Sequence, residues 1–405
     1  MRLTLLLFSI FIITACKNTS EESVDGSDPF GETQLTPERK LVLDSLELEF
    51  TKAAKSGVLP GFTVAIFDKD TVFFSKGFGY ASLQPEKKYD PQTVQMVASV
   101  SKTLISVALM KVIEASELSL DDPVNDYLPF EVINPKFPET SITIRHLATH
   151  TAGFNDPSGG KGNIFSEPLQ QENWREVWHP IIAKYNKNED MPMPVFLREV
   201  FARNGKFYSE ESFLDHAPGT NYEYSNYGSA LLAHIIEIAT VSDYRDYTKK
   251  HILEPLQMNR SGWSRDQVDT ENHITYYNDN YKAVPNFHII TYPDGGFYSS
   301  LEDLTKFMQE MMRGYYGEGT LLASSSYKEM FRSQFPDLET QTGLLWDLDQ
   351  DCCVGHSGND FGIAAMMYFY KEQGIGRIIF TNIDVQQEQQ EDLFYSMHDA
   401  LYSFE

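Results

Sequence analysis

The feature that most constrains this sequence is an apolar stretch that opens with a serine and a lysine. Ser99 and Lys102 are three positions apart, and apolar residues then follow at nearly every position as far as Ile113. A helix that is hydrophobic on all sides is buried in a sizeable domain. Because residues i and i+3 share one face of a helix, the hydroxyl and the amine can meet there. Desolvation lowers the pKa of a lysine, which can then act as a base for a neighbouring hydroxyl.

The composition is that of a globular protein large enough to bury such a helix. The chain has 405 residues, of which 41% are hydrophobic and 22% are charged. Its formal net charge is −25, from 58 acidic and 33 basic residues. Proteins that bind nucleic acid carry clustered lysine and arginine, and the sequence has no such cluster. We therefore do not expect nucleic acid as a partner.

The beginning of the chain has the features of a targeting segment. Arg2 precedes an apolar run over residues 3–13, which is shorter than the roughly 20 residues that span a bilayer. Residues 13–16 resemble the lipobox of bacterial lipoproteins, in which the cysteine, here Cys16, becomes the lipidated first residue. An ordinary secretory signal peptide with a chance cysteine is the alternative. We expect a signal peptide over residues 1–16 and a lipid anchor that holds the protein in the bacterial cell envelope, facing the periplasm or the surface.

Strand-like sequences occur near both ends of the remaining chain. Residues 61–76 contain two runs of β-branched and aromatic residues separated by a polar turn, which predicts a hairpin. Four more such runs lie between residues 343 and 382, the first over residues 343–348. Helical patterns fill the region between. This order indicates an α/β (α+β) fold in which an antiparallel sheet, formed by both chain ends, is flanked by helices.

These patterns predict the organisation of the whole chain. A polar tether is expected over residues 17–36, because this segment has no apolar period. The folded domain is expected over residues 37–405, with a mostly helical inserted region at about residues 91–285. Within it, residues 155–218 are weakly periodic and are interpreted as a helical segment over a cleft.

A second candidate for chemistry is the segment Tyr224-Ser225-Asn226, which lies between a Pro-Gly turn and a predicted helix. A tyrosine near two cationic groups loses its proton more easily and can act as a general base or acid. Asparagine both donates and accepts hydrogen bonds, so Asn226 can hold a lysine and a substrate amide together. The segment Tyr276–Asn278 has the same spacing, but no helix follows it, and we discard it.

The third candidate is the segment formed by His356, Ser357, Gly358 and Asn359, at the end of a predicted strand. A glycine in this position lets a substrate approach the backbone. The backbone N–H of Asn359, together with that of Ser99, can then form an oxyanion hole. One such donor is typically worth roughly 10²–10³ in rate.

The spacing Ser-x-x-Lys also occurs at Ser325 and Lys328. Lys328 lies in a polar stretch, where it would remain a solvated ammonium. Lys102 instead opens a buried helix, so only the pair with Ser99 is expected to be reactive.

In their order along the chain, the three segments resemble the three motifs of the penicillin-recognising serine hydrolases. The Tyr-Ser-Asn form of the second motif is similar to that of the class C β-lactamase and D-alanyl-D-alanine carboxypeptidase branch, which includes family VIII-type esterases. The resemblance runs from about Thr36 to the end of the chain and implies a β-lactamase/transpeptidase-like fold. Further segments that fit the same family are residues 147–153, 255–258 and 295–299.

The resemblance implies a role for each residue of the three motifs. Ser99 would be the acylated nucleophile, and Lys102 and Tyr224 would move its proton to the leaving group and later activate the deacylating water. The backbone of Ser99 would hold the oxyanion together with that of Asn359. The residues expected to bind substrate are Asn226, His356, Ser357, Gly358 and Asn359.

The third motif departs from many β-lactamases, which have a lysine where this chain has His356. Histidine is mostly neutral at pH 7 and should attract the carboxylate of a β-lactam less, which favours a peptidase or an esterase. We expect a cell-envelope serine hydrolase that acts on an amide or ester, such as a D-amino-acid peptide. A true β-lactamase and a catalytically silent penicillin-binding-like module are the alternatives. Either Lys102 or Tyr224 can be the acylation base.

His146 and His150 have a spacing that can place two metal ligands on one helix face. However, Leu147 stands where a zinc-peptidase helix carries a glutamate, and the resemblance already explains the segment as a turn near the site. We therefore expect neither a metal ion nor a cofactor, and a small molecule or peptide as the substrate.

Overall fold

The computed structural model describes residues 35–156, 163–165, 190–349 and 352–405. Cys16 and the predicted signal peptide lie outside these residues, as does nearly all of the predicted tether. The strands are β1 (Gly61–Phe67), β2 (Val72–Leu83), β3 (Glu86–Lys88), β4 (Val94–Met96), β5 (Asn163–Phe165), β6 (Phe287–Ile289), β7 (Tyr298–Ser300), β8 (Asp347–Leu348), β9 (Cys353–Asp360), β10 (Ile363–Tyr370) and β11 (Ile375–Thr381). The helices are α1 (Pro37–Ser56), α2 (Lys102–Glu114), α3 (Ile144–Ala148), α4 (Met193–Phe201), α5 (Asn226–Thr240), α6 (Tyr244–Thr248), α7 (Leu301–Tyr315), α8 (Ser324–Met330) and α9 (Glu388–Ala400).

The main sheet joins the two ends of the domain. Its strand order is β3-β2-β1-β11-β10-β9-β8, and every neighbouring pair is antiparallel. β1 and β2 form the expected hairpin, and β1 also pairs with β11, with Val64 opposite Ile379. The predicted α/β class, with an antiparallel sheet made by both chain ends, is confirmed.

Both faces of the sheet are covered by helices. Side chains alternate between the faces of a strand, so Val64 and Ile66 pack in a cluster with Phe50 of α1, while Ala65 and Phe67 join a larger cluster on the other face. The larger cluster contains the apolar residues of α2, α5 and α7. The sheet is therefore the middle layer, and the larger core lies on the α2 side.

The helix that begins at Lys102 is buried as expected. Leu104, Ile105, Val107, Ala108 and Leu109 of α2 are all fully shielded from solvent. A short 3-10 turn over Ala98–Ser101 precedes the helix and carries the candidate nucleophile. The core thus fixes α2, and α2 fixes the turn at its start.

Two elements are shorter than the sequence predicts. The strand expected over residues 343–348 is reduced to β8, because the Gly343 N–H donates to the Trp346 carbonyl and Leu345 has a φ of 57°, which closes a turn. The sequence of residues 142–154 predicts a helix that ends at Gly153, but α3 ends at Ala148, before His150, whose φ is also 57°. Of the region 155–218, the structure describes α4, the short strand β5, a 3-10 turn over Glu210–Ser212 and loops, and the remainder of that prediction lies outside the described residues. Among the described helices, none has the combination of length and apolar sequence required to cross a membrane.

Candidate active site

The turn that carries Ser99 is held from both sides. The Val97 N–H donates to the Phe297 carbonyl at 2.9 Å, and the Phe297 N–H donates to the Ser101 hydroxyl at 3.1 Å. Ala98 has a φ of 47°, a left-handed conformation that non-glycine residues adopt only when their surroundings impose it. Ser99 itself is partly exposed. Its hydroxyl is therefore presented to solvent on a fixed backbone.

Lys102 lies directly beneath that hydroxyl and has no contact with solvent. Its Nζ donates to Ser99 Oγ at 3.1 Å, to Asn226 Oδ1 at 2.7 Å and to the Asp294 carbonyl at 2.6 Å. An ammonium has three N–H donors, and these three acceptors match that number. Burial lowers the pKa of Lys102 to about 8, although nearby carboxylates act in the opposite direction. The sequence argument predicted that desolvation lowers the pKa of this lysine, and the structure agrees.

Tyr224 completes the group around the nucleophile. Its ring centroid is 4.9 Å from Lys102 Nζ, and its side chain hydrogen-bonds that of Ser99. Burial raises the pKa of Tyr224 well above its ordinary value, and the bond to Ser99 opposes this only in part. The expectation that cations would ease the loss of its proton was wrong, because the energetic cost of burying a phenolate is larger and the charge of Asp347 adds to it. Tyr224 is therefore a neutral phenol near pH 7.

The loop that delivers Tyr224 and Asn226 is tied to the start of α5 by a carboxylate. Asp156 accepts hydrogen bonds from the Ser225 hydroxyl and from the Asn226 N–H, both at 2.6 Å, and from the Tyr227 N–H at 3.3 Å. The Ser225 hydroxyl also accepts from the Gly228 N–H at 2.8 Å, as an N-cap residue does. These bonds fix the backbone from which Asn226 reaches Lys102.

His356 lies on β9, across the site from Ser99, and is 4% exposed. Its ring centroid is 6.3 Å from that of Tyr224, and its Nδ1 donates to the Ser357 carbonyl at 2.5 Å. Burial lowers the pKa of His356, more than the charge of Asp347 raises it. The imidazole is thus neutral at pH 7, in agreement with the sequence argument.

Gly358 brings β9 against the turn of the nucleophile. A Cβ at this position would lie 2.5 Å from the Val97 carbonyl oxygen and 2.9 Å from the Ser99 backbone nitrogen. Only glycine lets the strand pass so close to that nitrogen. Ser357 and Asn359 are exposed, whereas His356 and Gly358 are buried. Since side chains alternate along a strand, the Ser357 and Asn359 side chains lie on the opposite face from His356.

Buried carboxylates near Lys102 were not identified from the sequence. The carboxyl oxygen Oδ2 of Asp294 is buried and has no hydrogen-bond partner within the described part of the chain, and burial raises the pKa of this group despite the nearby Lys102. Asp156, Asp347 and Asp360 also act on the lysine charge. Aspartates are common in loops, so their sequence context carries no signal for this role. Only the fold shows that they surround one amine.

One group of described residues has the atoms to hold a metal ion. Asp349, Cys352 and Cys353 place possible ligand atoms within 4.8 Å of one another at the start of β9. None of them belongs to the three motifs. His146 and His150, whose spacing could place two metal ligands on one helix face, have other partners. His146 Nδ1 accepts a hydrogen bond from the Thr143 N–H, and His150 Nδ1 accepts one from the Ser225 N–H.

The structure therefore brings together Ser99, Lys102, Tyr224, Asn226 and His356 around one partly exposed hydroxyl. A neutral tyrosine, a buried lysine of lowered pKa and a serine within hydrogen-bond reach are the parts that a serine hydrolase needs for nucleophilic catalysis. The catalytic roles of these residues stay predictions.

A sequence model of the beta-lactamase family matches residues 46–402, which is most of the chain. The chain therefore belongs to the beta-lactamase family of serine hydrolases, and the resemblance seen in the three motifs is confirmed.

Two curated relatives show how distant the similarity is. The chain is 24% identical over 343 residues to Protein flp of Staphylococcus aureus (strain MW2), a match that covers 82% of this chain and 61% of that protein. It is 29% identical over 306 residues to the human mitochondrial serine beta-lactamase-like protein LACTB, covering 63% of this chain and 54% of LACTB. The chain thus spans less than two thirds of the length of either relative.

Solved structures share the fold. An octameric penicillin-binding protein homologue from Pyrococcus abyssi superposes with a TM-score of 0.65 at 22% identity, covering 89% of this chain and 77% of that one. A class C beta-lactamase superposes with a TM-score of 0.63 at 18% identity, covering 90% and 98%. The predicted β-lactamase/transpeptidase-like fold is therefore confirmed.

Proposed function

We propose that this protein is a serine hydrolase that forms an acyl-enzyme on Ser99 and cleaves an ester or amide, such as a peptide containing D-amino acids. The observation that carries the proposal is the hydrogen bond of 3.1 Å between Lys102 Nζ and Ser99 Oγ, on a lysine that is fully buried. A lysine that is neutral near pH 8 can remove the serine proton at moderate pH.

The two protonation states suggest a division of work between lysine and tyrosine. Neutral Lys102 takes the proton of Ser99 as Oγ forms a bond to the substrate carbonyl carbon. The proton then passes through the hydroxyl of Tyr224 to the leaving group as the C–N or C–O bond breaks. Because burial keeps Tyr224 protonated, it can give a proton to the leaving group while it accepts one from the lysine. In deacylation, water attacks the acyl-enzyme, and Lys102 and Tyr224 move the proton of the water in the reverse direction, back to Ser99 Oγ.

The experiment that tests this proposal is intact-protein mass spectrometry after incubation with a fluorophosphonate. We expect one adduct on the wild type and none on Ser99→Ala. Ser325→Ala is the matched control, because it removes the serine of the second Ser-x-x-Lys sequence, which is exposed on α8. A wild type that is not labelled, or a Ser99→Ala variant labelled as fast as the wild type, would refute catalysis by Ser99 and favour a silent module.

The charge around His356 favours a substrate without a carboxylate beside the scissile bond. Asp347 on β8 lies opposite Gly355, the residue before His356, and its Oδ2 accepts a hydrogen bond from the Tyr368 hydroxyl at 2.9 Å. The charge of Asp347 acts on the His356 imidazole, and a neutral imidazole in such surroundings offers no attraction to an anion. This supports an esterase, or a peptidase that cleaves away from a free C-terminal carboxylate, rather than a β-lactamase.

Two esters test this preference. They are identical except that the leaving group carries a free carboxylate in one and the methyl ester of that carboxylate in the other. The neutral ester should have the larger kcat/KM, and Asp347→Asn should narrow the difference. Asp44→Asn, on the exposed side of α1, is the charge-matched control. Rapid loss of penicillin without a lasting adduct would instead assign a β-lactamase, and a lasting penicilloyl adduct would point to a D-alanyl peptidase.

We also propose that the protein is held in the bacterial envelope by a lipid on Cys16. The support is the lipobox-like sequence at residues 13–16. Expression in a bacterial host with radiolabelled palmitate should label the wild type and not Cys16→Ser. Equal labelling of both proteins would exclude an anchor at this cysteine.

A further inference from the structure

His150 is joined to both chain neighbours of Tyr224. The Glu223 N–H donates to the His150 carbonyl at 2.8 Å, and the Ser225 N–H donates to His150 Nδ1 at 3.2 Å. The residue between them is the candidate proton carrier. A single histidine therefore fixes the backbone on both sides of Tyr224.

The His150 ring also packs on the side chains of this loop. Its centroid is 4.5 Å from that of Tyr224, with the two planes tilted by 34°, and 5.8 Å from that of Tyr222 in an edge-to-face arrangement. The direction and the position of the Tyr224 ring are therefore set by the same residue that fixes its backbone. Contacts of this kind hold a reactive group within the small range of positions that catalysis tolerates.

The backbone of His150 is itself held in an uncommon conformation. Its φ of 57° lies in the left-handed region, and the adjacent residues are bonded on either side. The Thr151 N–H donates to the His146 carbonyl, the Thr151 carbonyl accepts from the Gly219 N–H, and the hydroxyls of Thr149 and Thr151 bond each other. Such strain persists only where the surroundings impose it, and it is found preferentially at functional sites.

The protonation of His150 excludes a role as a proton carrier. Since Nδ1 accepts a hydrogen bond, the ring proton is on Nε2. Burial lowers the pKa of His150 well below its ordinary value, and the charges of Lys102 and His356 act in the same direction. Nε2 is buried and has no hydrogen-bond partner among the residues that the structure describes, an arrangement that costs stability.

We propose that His150 is a positioning residue for the reaction at Ser99, which holds the Tyr224 hydroxyl on the nucleophile through the Ser225 N–H···Nδ1 bond and the contact between the two rings. This inference rests on the proposed function, because it concerns the rate at which Ser99 is acylated. His150 is 4% exposed, so it acts through Tyr224 rather than by touching the substrate.

The test uses two substitutions that separate the two contacts. His150→Phe keeps a ring but removes the acceptor for the Ser225 N–H, whereas His150→Asn keeps an acceptor and tolerates the left-handed backbone. His146→Phe is the matched control, because it removes the same type of Nδ1 acceptor from α3, where the donor is the Thr143 N–H. The measurement is the rate of fluorophosphonate labelling at Ser99, resolved into kinact and KI, over pH 6–10, together with the unfolding midpoint.

We expect His150→Phe to lower kinact on the order of 10²-fold, with KI changed by less than about 2-fold and with the pH dependence kept. His150→Asn should recover a large part of kinact, and His146→Phe should change only the unfolding midpoint. The inference is overturned if His150→Phe labels at the wild-type rate, or if its loss appears as a shifted pH profile.

His150→Asn provides an independent test if His150→Phe does not fold. A folded His150→Asn protein that labels as slowly as Tyr224→Phe would also overturn the inference, because an acceptor would then give no benefit. If the wild type itself is not labelled at Ser99, the proposed function fails first. If the wild type and His150→Phe are labelled equally, only the role of His150 fails.

Discussion

Substitution of Gly358 by alanine should greatly slow the acylation of Ser99, the proposed nucleophile, while leaving the protein folded. The new Cβ would lie 2.5 Å from the Val97 carbonyl oxygen and 2.9 Å from the Ser99 nitrogen, where ordinary contact begins near 3.4 Å. Both neighbours are backbone atoms, so no flexible side chain can move aside. β9 and the turn of Ser99 would have to separate by about 0.9 Å, from the difference between 3.4 and 2.5 Å.

A separation of this size removes the predicted oxyanion hole, because its two N–H groups lie on the two elements that part. Loss of one such donor costs about 10²–10³ in rate, or about 3–4 kcal/mol of transition-state stabilisation. Overpacking of this kind costs about 1–3 kcal/mol of folding stability. The observable pattern is thus a large loss of rate with a modest loss of stability.

The assay is the labelling rate of Ser99 by a fluorophosphonate, with the free energy of unfolding measured in urea. Gly317→Ala is the control for the loss of a glycine, because Gly317 has a φ of 86° on an exposed turn and a Cβ there would meet no atom within 4 Å. It should lose some stability and keep the wild-type rate. A Gly358→Ala protein that is labelled within about 3-fold of the wild-type rate would refute the close-approach argument.

Three further outcomes follow from the charged groups. The rate of Ser99 acylation should rise with pH through about 8, because Lys102 must lose its proton to act as a base; a rate that is flat from pH 6 to 10 would contradict this assignment. Burial lowers the pKa of Lys102 from 10.5 to about 8, so the folded protein releases this proton more readily than the unfolded chain. The free energy of unfolding of the wild type should therefore rise by about 3 kcal/mol relative to that of Lys102→Met as the pH rises from below 8 to above 10.5. Urea unfolding at pH 7 and 10.5 measures this change, and a difference between the two proteins that is the same at both pH values would contradict the prediction. Asp156→Ala should lower the free energy of unfolding by about 2 kcal/mol, because three donors at the start of α5 lose their acceptor. The exposed control Asp44→Ala should lower it far less. Equal losses of stability in urea unfolding would argue against this capping role of Asp156.

Much of the site could be predicted from local pattern. The spacing of Ser99 and Lys102 predicted that their side chains meet, and they do, although Ser99 lies on the 3-10 turn that precedes the helix and only Lys102 belongs to the helix. The segment at Tyr224 was recognisable because it stands directly before a helix, whereas the segment at His356, predicted at the end of a strand, lies inside β9, which continues to Asp360. The structure brings these segments to one hydroxyl.

The protonation states were predicted unevenly, for a physical reason. For Lys102, burial disfavours the charged form, and the sequence argument found the right direction of the pKa shift. For His356 the sequence argument predicted a neutral ring from the ordinary pKa of histidine, and burial lowers that pKa further. For Tyr224 the same argument weighed neighbouring cations and neglected burial, and the direction was wrong. A pKa depends on the whole environment of a group, and the sequence of one segment does not contain that environment.

The sequence by itself determined the class of fold, because the order of strand-like and helical patterns can be read over a few neighbouring residues. Together with the family resemblance, it also pointed to the candidate nucleophile and to the three segments of the candidate site. The tertiary structure alone decided which distant residues support them. Asp156 holds the Tyr224 loop, the carbonyl of Asp294 holds Lys102, and His150 holds the backbone around Tyr224. These contacts join residues about 70 to 190 positions apart in the chain. They exist only once the sheet and the core have brought those segments together.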